Sequence, residues 1–371
     1  MTTTASARAT HRADIVGSLL RPDYLKEARA RWLAGDLPTP EFKVIEDRAV
    51  DEAIALQERA GLDIVSDGEM RRYFYTGALT EAVEGISYVH ARNDPWRGGD
   101  EESVSVDAAI TGKLRRTRSL ATEEFAYARA RTDKVVKVTL PSPLVLAWFW
   151  SVEHTPAAYT DPLELFADGV EIIRQNVREL IDLGCQYVQI DAPETLIWAV
   201  DKEFQAHFRE MTGIKVDKLI DQAADILNSV VEGLEGPTYA LHLCRGNNQG
   251  RWAAEGGYEA VSKIVFERAT AYDRFLLEYD SDRAGGFEPL AALPEDKMVV
   301  LGLVSTKEAA LESRDVVIAR IGEAAKYHRL DRLGISTQCG FASSEEGNPI
   351  SPAAQQSKLQ LVADVAREVW A

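Results

Sequence analysis

Cysteine is scarce in this chain, with three among 371 residues. That excludes a disulfide-stapled scaffold and points to a reducing cytoplasm. Long apolar runs are missing as well. No stretch approaches the ~18 residues a membrane span needs, and Met1-Thr-Thr-Thr-Ala-Ser-Ala-Arg-Ala-Thr10 lacks the apolar centre of a secretory leader. Basic charge is short: 42 Lys and Arg against 59 Asp and Glu leave a net charge of −17, which disfavours a nucleic-acid surface and favours solubility. There is no internal repeat, low-complexity tract or interdomain linker. With 46% hydrophobic and 27% charged residues, the chain reads as a single globular domain, 1–371, with a substantial core.

Eight short segments rich in Val, Ile, Leu and Tyr alternate with long helical stretches: 14–18, 62–66, 135–140, 186–191, 239–243, 274–279, 298–304 and 334–338. Such composition is expected of strands buried on both faces. Helix starts are marked by Asp161-Pro162-Leu-Glu164, with an N-cap, a proline at the first helical position and a glutamate three residues after the cap. Ser305-Thr-Lys-Glu308 repeats that capping box ahead of an apolar stripe of Ala310, Leu311, Val317, Ile318 and Ile321. The βα alternation predicts an α/β fold, a (β/α)8 TIM barrel, although an open doubly wound sheet would alternate in the same way. One stretch, 85–118, breaks the rhythm with glycines, charges and short alternating runs such as Ser103-Val-Ser-Val106. It reads as an inserted loop or hairpin between the second and third strands.

Polar residues collect at the carboxyl ends of these strands, the rim on which barrel enzymes build their sites. His242 and Cys244 lie two apart in Tyr239-Ala-Leu-His-Leu-Cys244, so on a strand they face the same side. Cys339 ends a later strand, in Ile335-Ser-Thr-Gln-Cys-Gly340, and Glu278 lies inside the apolar Phe275-Leu-Leu-Glu-Tyr279. A buried carboxylate there needs a partner. Nitrogen, thiolate sulfur and carboxylate make a zinc-type set, so His242, Cys244, Glu278 and Cys339 are the candidate ligands. The plainer alternative is that the His and Cys simply pack. Cys185 precedes its strand, at the opposite end, and is expected to pack. Glu69, Asp67 and Asp191 are candidates for an ammonium group, and Ser18 for a carboxylate. Trp148-Phe-Trp150 suits either a flat ligand or the core. Arg21, Arg71 and Arg72 suit either a carboxylate or the acidic rim, and His154 and His328 are read as surface or packing residues.

Taken together, Val16-Gly-Ser18, Asp67-Gly-Glu69, Gln189-Ile-Asp191, His242-Leu-Cys244, Glu278 and Gln338-Cys-Gly340 resemble the catalytic barrel of cobalamin-independent methionine synthases, within the wider group of zinc-dependent thiol alkyltransferases. The matches run in family order over most of the chain. The resemblance implies Zn2+ held by His242, Cys244, Glu278 and Cys339, and a thiol substrate activated as a zinc-bound thiolate. It implies Ser18 on the carboxylate of an amino-acid substrate, and Glu69 and Asp191 on its amino group. The expected reaction is methylation of homocysteine to methionine. The chain departs from the two-barrel enzymes in two ways. It has no room for a second barrel, and it reads Gly302-Leu-Val-Ser-Thr-Lys307 where they carry a histidine used in methyl transfer. That pattern resembles the single-barrel branch, related to epoxyalkane:coenzyme M transferases, and leaves the methyl donor open. Two other readings remain: alkyl transfer to another thiol, as in coenzyme M-type epoxide opening, and a metal-free barrel lyase like uroporphyrinogen decarboxylase.

Overall fold

The computed structural model describes residues 11–89, 92–93, 96–98, 104–105 and 108–371. Its strands, in chain order, are β1 (Ile64–Val65), β2 (Val83–Tyr88), β3 (Arg92–Asn93), β4 (Val104–Ser105), β5 (Ala108–Arg116), β6 (Val135–Pro141), β7 (Tyr187–Asp191), β8 (Thr238–Leu243), β9 (Arg274–Glu278), β10 (Met298–Val304) and β11 (Leu333–Thr337). Seven of them form one curled sheet in the order β1-β6-β7-β8-β9-β10-β11, with every neighbouring pair parallel. Helices lie between most of them, among them Thr39–Arg59, Leu120–Arg129, Pro162–Asp182, Asp217–Val231, Arg314–Ala324 and Pro352–Val369. Asp161 caps its helix as expected, accepting from the Leu163 N–H at 2.9 Å.

The strands are buried on both faces, and the two faces feed different clusters. Val16, Ile64, Tyr187, Ala240, Leu276, Met298 and Val300 pack together inside the curl. Their neighbours Val65, Val188, Leu241, Phe275, Leu277, Val299 and Leu301 join the main core beneath the helices. This period-two split sends His242, two residues beyond Ala240, and Glu278, two beyond Leu276, to the interior side.

The expected first strand is a correction. Residues 14–18 make no ladder: only Ala13 bridges Ile335, with the Asp14 N–H donating to the Ile335 carbonyl at 2.9 Å. Side chains from the neighbouring strands take the backbone acceptors that a ladder would have used. Lys137 bonds the Ile15 carbonyl, Gln189 Nε2 the Val16 carbonyl at 2.7 Å, and Ser66 Oγ the Gly17 carbonyl at 2.6 Å. These bonds hold the segment between β11 and the end of β1.

The second capping box also fails. No helix starts at Ser305; the helix starts at Arg314, and Leu311 is exposed. Tertiary bonds hold 305–313 as a loop. Thr306 donates through its N–H to Gln338 Oε1 at 2.6 Å and through Oγ1 to the Gly340 carbonyl at 3.0 Å, while Glu312 accepts from the Ser305 N–H at 2.8 Å. In the stretch 85–118, β2 pairs antiparallel with β5 and β3 with β4. Parts of that expected insertion, including Ser103 and Val106, lie outside the described residues.

Candidate functional site

The parallel register sets the carboxyl ends of β7 and β8 side by side, with Asp191 opposite His242, and Glu278 of β9 opposite Gly302 of β10. Cys244 and Cys339 follow β8 and β11. The donor atoms of His242, Cys244 and Cys339, all buried, lie within 4.8 Å of one another, and the two Sγ atoms are 3.9 Å apart. His242 Nδ1 sits 3.2 Å from the Leu276 carbonyl, which can only accept, so Nδ1 carries the proton. Nε2, the other ring nitrogen, is buried and has no hydrogen-bond partner. That arrangement suits a metal-ligating imidazole, whose other nitrogen is usually fixed by a carbonyl or carboxylate.

The two thiols behave as a pair. Cys339 is held well below the usual thiol range by its hydrogen bond with Cys244, and then by His242, against the opposing effect of burial. Glu278 is not within the three-residue group. Its Oε2 accepts the Arg245 N–H at 2.6 Å, and its buried Oε1 has no hydrogen-bond partner. Burial, then Asp280, pushes its carboxyl up from the ordinary range.

His242, Cys244 and Cys339, but not Glu278, form part of the lining of a cavity of about 350 Å3, within the size range of small-molecule sites. Ser18, Glu69 and Asp191 line it too. Glu69 is presented by an uncommon backbone: in the turn after β1 it adopts φ +56°, a left-handed conformation rare for a non-glycine residue. Its Oε1 accepts from Thr139 Oγ1 at 2.7 Å, while Oε2 is buried without a partner. A Cβ on Gly17 would fall 2.6 Å from Thr139 Cγ2 and 3.0 Å from Glu69 Oε1, so glycine there makes room for that carboxylate. Gly340 does the same for Ser18, whose Oγ would lie 1.9 Å from an added Cβ. Burial raises the Asp191 carboxyl to about 7 despite nearby His242, and burial also raises Glu69 against the pull of Arg72 and Arg21. Two buried carboxyls with spare acceptors, facing a cavity, suit a cationic ligand group.

Other expected residues have structural work. Asp67 Oδ1 accepts from the Glu69 N–H at 2.9 Å and shapes the turn without lining the cavity. Arg21 clamps carbonyls, donating to Ala342 at 2.6 Å and Glu69 at 2.8 Å. Arg71 pairs with Asp47 and Glu46, and Arg72 with Glu124 at 2.6 Å. Cys185 is buried at the amino end of β7, its thiol pushed up to about 12 by burial. His328 is buried, Nε2 lying 2.9 Å from the Lys297 carbonyl, and His154 is half-buried beside Glu153. Trp148 and Phe149 line the cavity while Trp150 joins the core.

Sequence reasoning missed Tyr73, Phe74 and Tyr75, which line the cavity. The signal was present, since this aromatic run begins four residues after Glu69. It also missed Asn247, whose Nδ2 donates to the Gly340 carbonyl at 2.9 Å, and the buried Lys307, whose Nζ donates to the Gly246 carbonyl at 2.9 Å. Those two carried no local signal.

Comparison with known proteins agrees with this geometry. Residues 13–227 match the family model described as the catalytic domain of cobalamin-independent synthase. The YxjH protein of Bacillus subtilis is 34% identical over 366 residues, 98% of this chain and 96% of its own length. The methionine synthase of Pyrococcus abyssi is 26% identical, covering 88% of this chain and 85% of its own. A crystal structure of the putative vitamin-B12 independent methionine synthase from Listeria monocytogenes superimposes with a TM-score of 0.73 at 26% identity, covering 98% of this chain and 99% of that one. The chain belongs to the cobalamin-independent methionine synthase family, built on its catalytic domain, and is a methyltransferase of that kind.

Proposed function

We propose that this enzyme methylates a thiol amino acid, homocysteine, to the thioether methionine, and that it holds Zn2+ on His242, Cys244 and Cys339 with Glu278 as a fourth ligand. The observation that carries this reading is the convergence of an unpartnered imidazole Nε2 and two thiol sulfurs at the cavity wall. Soft sulfur and imidazole donors fit zinc, and Glu278, outside that group, offers its spare Oε1 as the carboxylate oxygen. When bound, the metal lowers the pKa of a thiol that joins it, so that a nucleophilic sulfur is present at neutral pH.

The chain's own residues do the rest. The His242 Nδ1–H to Leu276 carbonyl bond fixes the tautomer and the ring orientation. Glu69 and Asp191 receive the substrate ammonium, whose charge offsets the burial that raises both carboxyls. Ser18 Oγ takes the substrate carboxylate. Trp148 and Phe149 cover an apolar side of the cavity and limit water near the reacting sulfur. Three free cysteines, two of them needed as thiolates, support a reducing cytoplasm as the compartment.

Calorimetric titration of the zinc-loaded protein tests the acceptor. Homocysteine should bind, and Asp191→Asn should weaken it by about tenfold, as loss of a charge-assisted bond would. A sulfonate thiol such as coenzyme M, which has no ammonium group, should bind poorly. Equal affinity for the two thiols, indifferent to Asp191, would exclude the amino-acid reading.

A further inference from the structure

We propose that the methyl donor is a compact methylated onium cation, a sulfonium or a quaternary ammonium, held in the aromatic-walled part of the same cavity. The inference rests on the thiol-methylation reading and deepens it by naming the class of the second substrate. Six aromatic side chains, Tyr73, Phe74, Tyr75, Trp96, Trp148 and Phe149, line the cavity, and each is half-buried. They come from three separate segments that meet only in the fold. The Tyr73 and Phe74 rings stand edge to face at 4.9 Å, and Trp148 is braced by Phe204 at 5.2 Å. Aromatic faces attract cations, most strongly where water is excluded, and recognition of methylated onium groups by such walls is a general use of that attraction.

Charge points the same way. Glu69, Asp191 and Glu346 line the cavity, and among the described lining residues there is no lysine or arginine. Arg97, next to Trp96, is held by Glu203 at 3.1 Å and by Asp201. The acceptor's ammonium engages Glu69 and Asp191 but brings its own carboxylate, so the cavity stays acidic. An anionic donor with several carboxylates would be repelled here, whereas a small cation is favoured. A volume of about 350 Å3 lies toward the lower end for ligand sites and suits an amino acid plus a compact donor.

The transfer balances without a further reactant. The acceptor thiol has already lost its proton. Its sulfur donates an electron pair to the methyl carbon, and the carbon–onium bond breaks with its pair staying on the leaving heteroatom. A sulfonium leaves as a neutral thioether and an ammonium as a neutral tertiary amine. Neither departure needs a proton, an oxidant or a reductant.

Zinc-loaded protein with homocysteine is incubated in parallel with methyl-13C-labelled trimethylsulfonium, tetramethylammonium, methyltetrahydrofolate and methylcobalamin, and label in methionine is followed by NMR. Binding of the two onium ions is measured separately by calorimetry. The expected result is saturable onium binding, label from one or both onium ions in methionine, and release of dimethyl sulfide or trimethylamine in equal amount. Which of the two forms separates the sulfonium from the ammonium class. Trp148→Leu and Tyr73→Leu should each weaken onium binding by about tenfold, and Tyr73→Leu should do so with homocysteine binding unchanged. Tyr73, further from the core, keeps the test available if the Trp148 variant does not fold. Absence of onium binding overturns the inference whatever the other donors do. Transfer from methyltetrahydrofolate or methylcobalamin alone overturns it while leaving thiol methylation standing. Failure of homocysteine to bind removes both.

Discussion

The two ends of the interior of the curled sheet both bury charge, yet they treat it in opposite ways. At the amino end, Asp14 is wholly buried and both of its oxygens are taken. Oδ1 accepts from the Ile15 N–H and Lys137 Nζ, each at 2.8 Å, and Oδ2 from the Tyr187 hydroxyl at 2.6 Å and Arg274 Nη1 at 3.4 Å. Burial would raise its pKa, but Lys137 and Arg274 outweigh burial and leave it below the ordinary range. At the carboxyl end, Glu69 Oε2, His242 Nε2 and Glu278 Oε1 are buried with no hydrogen-bond partner, and burial wins at Glu69, Asp191 and Glu278. A satisfied buried network is structure, because its groups have nothing left to offer. An unsatisfied one persists only if something outside the chain completes it.

Breaking each end should therefore give different failures. The largest effect is expected from Cys244→Ser, which removes a sulfur from the open end. Metal content should fall toward zero and methionine formation by at least about a hundredfold, while the thermal midpoint of the metal-free protein barely moves. A fully active variant would remove Cys244 from the site. At the closed end, Lys137→Met leaves Asp14 buried beside a lost cation. Stability by chemical denaturation should drop by about 3–5 kcal/mol, and the folded fraction should still load metal. A variant as stable as the parent would mean that the amino-end network carries no structural role.

A subtler contrast lies in pH. Folded Asp191 holds its proton up to about 7, whereas its ordinary value is 3.8. Between those values the folded state binds a proton that the unfolded chain has released, so metal-free, ligand-free stability should fall as pH rises from about 4 to about 7. Glu194, raised to about 8 by burial, acts in the same sense. Asp191→Asn should flatten the slope in part, and an unchanged slope would dissociate Asp191 from it. The smallest effect belongs to Cys185→Ala. It should leave metal content and activity unaltered and cost about 1 kcal/mol or less, since that thiol packs and makes one weak bond to the Tyr187 carbonyl at 3.4 Å.

Much of this division was legible from residues alone. His-x-Cys on a strand needs only period two to converge, and the late Cys-Gly supplied the third donor. The strand at 298–304 was read with its observed bounds because seven apolar residues in a row leave no other solution. The failures share one cause. Residues 14–18 and 305–313 were read from local pattern, but Lys137, Gln189, Ser66 and Gln338 overrule that pattern from distant positions. Glu278 is a separate case: read as a ligand from its burial, it lies outside the three-residue group, with Oε2 on the Arg245 N–H and Oε1 left without a hydrogen bond. Lys307 and Asn247 reach the site through loop geometry that no local spacing encodes.

The most direct test of the central claim is X-ray absorption at the zinc edge, on purified protein of measured metal content, with and without homocysteine. One zinc per chain, with nitrogen and two sulfurs in its shell and a third sulfur gained on adding homocysteine, is the expected result. Zinc whose shell ignores the thiol, or protein that binds no zinc at all, would contradict it.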